Sequence, residues 1–351
     1  MKLFQTLDNK SECVGIYTED KLLFGLDKIP KDIDATWAPA PYLKGLEIEF
    51  ASLYLEGTKL IDHLPEYLSD EWNDVSQKLN AFRRSLKIAH VNQDENCFYD
   101  LVPDRFLVDY CKVKNRITKH IFKTVPRPSR YKFYEKVAYL LNDISSRTVK
   151  LDRRQLNSYS PSTPSGRMAT KMLSVSPCVR YKQFGTKTGR LTTQPTGLPL
   201  LTVSKEIRRS IKPSNDYYLE LDFNGAEVRV LMGLLGLSQP MGDVHEHHLQ
   251  NVFKDLKTRN EAKTAFFAWL YGSSKLKNTP EEDALLKFYD KGKVLSRFWD
   301  GDNVSTPYGK IIKGVSKHHA LNYLVQSTAA ELALKQFLKI NYFLEEYGSG
   351  S

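Results

Sequence analysis

The 351-residue sequence predicts an α+β protein. Three observations point there: short apolar runs broken by Pro and Asp over residues 1–100, a long basic helical stretch after them, and a strand-to-helix transition in YYLELDFNGAEVRVLMGLLG that leads into mostly helical periodicity. At this length a large buried core and two or three domains are expected.

Taken in order, CVGIY, LLFGL and LEIEFASLYL suggest a small α/β unit with Pro and Asp turns, and Leu79 to Ile88 reads as helix. Glu47-x-Glu49 and the His90 to Asp100 stretch faintly resemble a proofreading exonuclease. That chemistry uses several Asp/Glu ligands for two metals, beginning with Asp-x-Glu, so no active nuclease is expected here. Val102 to Thr148 is helical and basic, with an interruption at Pro126 to Pro128. SYSPSTPSG (residues 158–166) reads as a Ser/Pro-rich loop or hinge, and Thr306-Pro-Tyr-Gly309 as a turn.

The net charge of +10 is unevenly spread: −7 over residues 1–100, +18 over 101–213 and −1 over 214–351. A segment so charged repels itself unless it meets a polyanion, and its cations are interleaved with aromatics in KTVPRPSRYKFYEK. Nucleic acid is the expected partner. Cys13, Cys97, Cys111 and Cys178 are scattered with no CxxC pair, which argues against a disulfide framework and a cysteine zinc site. No run of eighteen apolar residues and no signal-peptide pattern occur, so a soluble, cytoplasmic protein with no membrane partner is expected.

The most specific local pattern is TRNEAKTAFFAWLYG, where Arg259, Lys263, Phe267 and Tyr271-Gly272 recur at intervals of four. On an α-helix each such step advances about 400°, so two cations, a ring and a phenol form one slowly drifting stripe. Ala265, Phe266, Trp269 and Leu270 supply a separate apolar face, so the stripe is not needed for packing. It can hold a triphosphate at one end and a base at the other. Asp222, at the end of the apolar YYLEL run, reads by itself as a turn or cap residue more readily than as a carboxylate ligand for Mg²⁺ shared with phosphates, and its context must decide. His245, His247 and His248 form HEHH rather than HExxH, and His318-His319 read as surface or phosphate-facing, so neither group predicts zinc. Arg229 reads equally as a structural ion pair.

Four stretches in fixed order resemble family A DNA polymerases, the group of bacterial DNA polymerase I and many phage replicative enzymes. Thr188-Gly-Arg190-Leu-Thr-Thr looks like the TGRLSS element, with Arg208-Arg209 as the basic pair after it. Asp222-Phe-Asn-Gly-Ala-Glu227-Val-Arg229 looks like DYSQIELR. Arg259 to Gly272 reproduces R-x3-K-x3-F-x3-YG, and Asn322-x3-Gln326-Ser-Thr-Ala-Ala330-Glu331 is similar to N-x-x-x-QGTAAD. The resemblance covers about Gly185 to Leu338 and implies a phage-type right-hand polymerase fold: an antiparallel palm sheet with helical fingers and thumb, plus the small N-terminal α/β unit.

It implies an N-terminal unit at 1–100, a basic thumb and linker at 101–184, palm at 185–242, fingers at 243–305 and a return to the palm at 306–351. It implies DNA replication by a nucleotidyltransferase, acting as a monomer on primer-template DNA and deoxynucleoside triphosphates, with two Mg²⁺ ions. In that role Asp222 and the Phe223 carbonyl hold metal, Lys263 grips the triphosphate and protonates the leaving group, and Arg259 and His245 contact phosphates. Phe267 packs on the sugar, Glu227 crowds its 2′ position, and Tyr271 stacks near the templating base. Thr188, Arg190, Asn322 and Gln326 contact DNA, the last three at minor-groove acceptors that every base pair offers.

The family carries a further His-Asp-Glu motif beyond the QGTAAD element, and its Asp is the second metal-holding carboxylate. After Gln326 this sequence has no Asp and no His. The expectation is a truncated or split enzyme, catalytically crippled as given, with Gly348 to Ser351 either the turn before the missing strand or an added tail. Competing readings are a non-catalytic DNA-binding derivative and a single-subunit RNA polymerase; Glu227 and TGRL argue against the latter. Ser327 and Glu331 replace the family's Gly and Asp, and a short interval from Gly272 to Asn322 implies reduced fingers.

Overall fold

The computed structural model describes residues 1–347, which form two compact units. The question posed by Gly348 to Ser351 lies outside the described residues. One unit comprises Met1–Phe184 and Thr192–Asp216, the other Gly185–Leu191 and the chain from Tyr217 on.

In the first unit β1 (Leu3–Thr6), β2 (Gly15–Thr18), β3 (Lys21–Phe24), β4 (Ala35–Thr36) and β5 (Glu49–Phe50) make a sheet of order β3-β2-β1-β4-β5. β1 is antiparallel to β2 and parallel to β4, so the sheet is mixed. The short apolar runs thus become strands. Helices α1 (Ala51–Tyr54), α2 (Ser69–Ile88), α3 (Asp104–Thr124) and α4 (Tyr131–Ser146) follow, with the break between α3 and α4 at the prolines. Phe4, Phe50, Ile117, Ile121 and Tyr131 are fully buried together. Gln5 is buried in β1, where its amide NH2 donates to Asn115 at 2.8 Å and Thr118 at 3.3 Å on α3, while its Oε1 is enclosed without a hydrogen-bond partner among the described residues. Glu49 is engaged by the Tyr54 hydroxyl and by Arg127 at 3.1 Å.

The rest of this unit contains β6 (Lys150–Leu151), α5 (Arg153–Asn157), α6 (Pro164–Ser174), β7 (Tyr181–Lys182), β8 (Thr192–Thr193), α7 (Lys205–Arg208) and β9 (Ile211–Lys212). They surround a second core containing Leu156, Met172, Leu198 and Ile207. The Ser/Pro-rich segment is not a loop throughout. Thr163 caps the Gly166 N–H at 3.0 Å and Pro164 takes the first helical position, where its fixed φ is preorganised and its missing N–H is not needed.

A disulfide joins Cys13 to Cys97, contrary to the expectation from spacing. The two cysteines lie 84 residues apart and meet because the β1–β2 connection packs against the chain before residues 98–100, where the Phe98 N–H also donates to Asp8 at 2.6 Å. Cys111 and Cys178 are free and buried. Cross-linking so long a loop restricts the unfolded chain, so reduction, or Cys13→Ser, is expected to lower the stability of this unit by about 2–4 kcal/mol. Urea unfolding with and without reductant measures it; coincident curves would mean the bond contributes nothing.

The second unit is α8 (Ala226–Leu235), α9 (Val244–Asn251), α10 (Arg259–Leu270), α11 (Pro280–Phe288), α12 (Lys291–Phe298), a hairpin of β10 (Val304–Ser305) and β11 (Ile311–Ile312), and α13 (Lys317–Glu346). The predicted turn at 306–309 closes that hairpin, with Gly309 at φ +83° and its N–H on the Thr306 carbonyl at 2.9 Å. Leu231, Val244, Phe266, Leu285, Tyr289, Val304 and Leu324 share one core.

One expectation fails here. YYLELDF is not part of any ladder; Tyr217, Leu219 and Leu221 are 89%, 80% and 55% exposed. Alternation and β-propensity describe a residue's fit to a half-buried pleated surface, and no such surface forms over these residues. No helix among the described residues is long and apolar enough to cross a membrane.

Candidate nucleotide site

The second unit gathers most of the residues singled out from the sequence. α10 starts at a reciprocal cap: the Thr258 hydroxyl accepts the Glu261 N–H at 3.2 Å, and the Glu261 carboxylate accepts the N–H groups of Thr258 at 3.0 Å and Lys257 at 2.9 Å. Its Ala262, Ala265, Phe266, Trp269 and Leu270 are buried. Lys263 and Tyr271 are exposed, and Arg259 and Phe267 are half-buried, so the stripe faces away from the core. Phe267 and Tyr271 stack with centroids 5.7 Å apart.

α9 lies beside α10 and carries His245 on its first turn. One Asp243 oxygen caps α9, accepting the N–H groups of His245 at 2.8 Å and Glu246 at 3.0 Å. The other accepts Arg259 Nη2 at 2.6 Å. That guanidinium, aided by the helix N–H groups against the effect of burial, holds the Asp243 carboxyl well below the usual carboxylate range. His245 is buried, its ring 5.8 Å from that of Phe267. Burial pushes its pKa down; Asp243 opposes this, while the nearby charges of Arg259 and Lys263 reinforce it. His245 Nδ1 has no hydrogen-bond partner among the described residues. A neutral imidazole between two cations can accept or donate one hydrogen bond without adding charge.

Behind this site, His248 Nε2 and the Tyr289 hydroxyl share a 2.5 Å hydrogen bond inside the core. Burial, then the neighbouring His245 and His247, push the His248 pKa down to about 3. The unfolded imidazole titrates near ~6.5. Between these values the unfolded chain takes a proton that the folded chain refuses, so stability is full above ~6.5 and falls with pH below it, by at most about 1.4 kcal/mol per pH unit. His248→Gln is expected to flatten that slope in denaturant titrations between pH 7 and 5. An unchanged slope would place the dependence elsewhere.

At the other end of α10, the Tyr271 hydroxyl donates to Glu227 at 3.0 Å and is also bonded by the Gln326 side chain. Arg190 lies 3.6 Å from the same carboxylate. Burial and then the Glu227 charge raise the Tyr271 pKa. Glu227 reaches this place because α8 begins abruptly: Gly225 sits at φ +64°, and a Cβ there would run into the buried Val244 side chain. Arg229 is structural but, among the described residues, makes no ion pair: it donates to the carbonyls of Asn224 at 2.7 Å, Pro240 at 2.8 Å and Gly242 at 2.7 Å. The structure therefore joins Arg190, Glu227, Tyr271 and Gln326 at one end of α10, and Asp243, His245, Arg259 and Lys263 toward the other.

The remaining expected residues are placed differently. Thr188 is buried, its hydroxyl 3.3 Å from that of Thr186. Asn322 is half-buried with its Oδ1 enclosed. Asp222 and Phe223 are exposed, and Asp222 Oδ1 accepts the Phe223 N–H at 2.9 Å. Among the described residues no group of three or more His, Cys, Asp or Glu is close enough to hold a metal ion. Asp222 is a suitable hard ligand, but one carboxylate does not make up the two-ion Mg²⁺ set.

In the first unit the basic and aromatic segment partly satisfies itself: Arg127 lies over Tyr131 at 4.6 Å and Arg130 over Phe133 at 4.7 Å. Sequence reasoning had no role for Asp243 or Tyr289. The Asp243 signal was available, as an acidic residue directly before a helix.

No protein-family model and no curated protein matches the chain. In three dimensions it is similar to the POL domain of Pol1 from M. smegmatis, a structure in complex with DNA primer-template and dNTP. The TM-score is 0.60 at 11% identity, covering 98% of this chain and 86% of that one. At that identity the shared property is the fold: the chain adopts the polymerase-domain fold expected from the sequence, although among the described residues the one sheet of more than two strands is mixed, not an antiparallel palm sheet.

Proposed function

We propose that this chain is a DNA-directed DNA polymerase domain of the family A type, a nucleotidyltransferase that takes primer-template DNA and deoxynucleoside triphosphates. The observation that carries this reading is the open face of α10: Arg259, Lys263, Phe267 and Tyr271 in one stripe, with His245 against Phe267 and the Tyr271 hydroxyl on Glu227. Two cations at one end of a helix suit a triphosphate, and a stacked aromatic pair at the other suits a sugar and base.

In this reading Lys263 and Arg259 neutralise the phosphates, and the Lys263 ammonium is the proton donor for the departing pyrophosphate. His245 supplies a neutral hydrogen bond at the same end. Phe267 packs on the sugar, and Glu227, held by Tyr271, occupies the space a 2′-hydroxyl would need. Tyr271 leaves Glu227 when a base pair forms, so that correct pairing assembles the site. Arg190 and Gln326, beside this pair, read the primer end, while Thr188 and Asn322 support the same DNA-facing segment. Asp222 would be the carboxylate that holds a Mg²⁺ ion shared with the phosphates, where such an ion would supply charge neutralisation, one carboxylate short of the two-ion set.

Primer extension by the purified protein, with labelled primer-template and either deoxy- or ribonucleoside triphosphates, tests the proposal. Template-directed addition is expected to use deoxynucleotides and to be slow, because Asp222 alone does not make up a two-ion Mg²⁺ set. A clear preference for ribonucleotides would overturn the DNA assignment. Salt-sensitive primer-template binding without synthesis under any nucleotide would favour the non-catalytic or split form.

A further inference from the structure

We propose that Asp243 is a positioning residue for triphosphate binding, holding the Arg259 guanidinium in place on the open face of α10. The inference rests on the reading of that face as the nucleotide site, and goes beyond it by assigning the carboxylate that prepares the cation.

The geometry separates two tasks of one side chain. Oδ1 caps α9 through the His245 and Glu246 N–H groups, which orients the carboxylate; Oδ2 is left to take Arg259 Nη2 at 2.6 Å. Asp243 is itself anchored from α8. The Arg229 guanidinium grips the Pro240 and Gly242 carbonyls, fixing the chain up to the residue before Asp243. A continuous set of bonds therefore runs from α8 through Asp243 to the first residue of α10. Arg259 remains 39% exposed, so donors other than the one spent on Asp243 can face a ligand.

A carboxylate beside a triphosphate site also repels the ligand, and the two effects oppose each other. Here the negative charge is met by two helix N–H groups, by the positive end of α9 and by Arg259 itself, which leaves little net repulsion. Ordering Arg259 in advance spares the ligand the loss of a long side chain's rotamer freedom. Positioning should therefore dominate, and losing it should weaken triphosphate binding by about tenfold.

Calorimetric titration of the full chain with dGTP, with inorganic tripolyphosphate and with deoxyguanosine tests this. Asp243→Asn keeps an oxygen that can cap α9 but removes the charge, and Asp243→Ser does the same with a smaller side chain should the first fail to fold. Both are expected to weaken dGTP and tripolyphosphate about tenfold and to leave deoxyguanosine unaffected. In an Arg259→Ala background the same substitutions should have no further effect. Unchanged triphosphate affinity, or an equal loss with Arg259 already absent, would overturn the proposal. If the unaltered protein binds neither triphosphate, the nucleotide-site reading fails first, and the assignment of Asp243 with it.

Discussion

Lys263→Ala is expected to reduce single-nucleotide incorporation by about 10²–10³-fold, the effect of deleting one preorganised group aimed at developing charge. Lys263 is exposed on α10, one turn beyond Arg259, and makes no contribution to the buried face of that helix. Its loss should therefore leave folding intact, so that circular dichroism and primer-template affinity stay at their original values while nucleotide use collapses. Rapid-quench incorporation with the variant measures it, and equilibrium nucleotide binding gives the same comparison if turnover is slow. Arg259→Ala should give a smaller loss, mostly in apparent nucleotide affinity. A Lys263 variant with full activity would remove the phosphate end of the proposed site.

Phe266→Ala should have the largest effect on the fold of the second unit, about 3–5 kcal/mol. Phe266 is fully buried, with ring centroids 5.2 Å from His248, 5.8 Å from Tyr289 and 6.0 Å from Trp269. It is thus the point where α9, α10 and Tyr289 meet. Truncation would leave a cavity and loosen the His248–Tyr289 pair, and α10 would lose the support that presents its polar stripe. Urea unfolding should show the loss directly, with weakened nucleotide binding at concentrations of urea that the original protein tolerates. A shift below about 1 kcal/mol would mean that the neighbouring rings close the gap.

These two residues stand three positions apart on one helix, on different faces, and both were legible. The Lys263 stripe and the apolar face containing Phe266 both follow from helical periodicity, and a helix is a local object whose period is written in consecutive residues. The same holds for α3 and α4, for the proline break between them and for the turn at 306–309. The order of the N-terminal strands was not readable, because neighbours in a sheet are chosen by burial across long separations.

What the sequence determined by itself was therefore the α+β class, the long helices and the chemical content of α10. What only the tertiary structure decided was partnership. Cys13 meets Cys97, Asp243 takes Arg259, His248 meets Tyr289, and Arg229 spends its donors on carbonyls instead of a carboxylate. Each joins segments that no local period connects. The YYLELDF segment shows the converse: its apolar alternation reads as a strand, yet a strand exists only where a neighbour completes the ladder, and that depends on the rest of the fold.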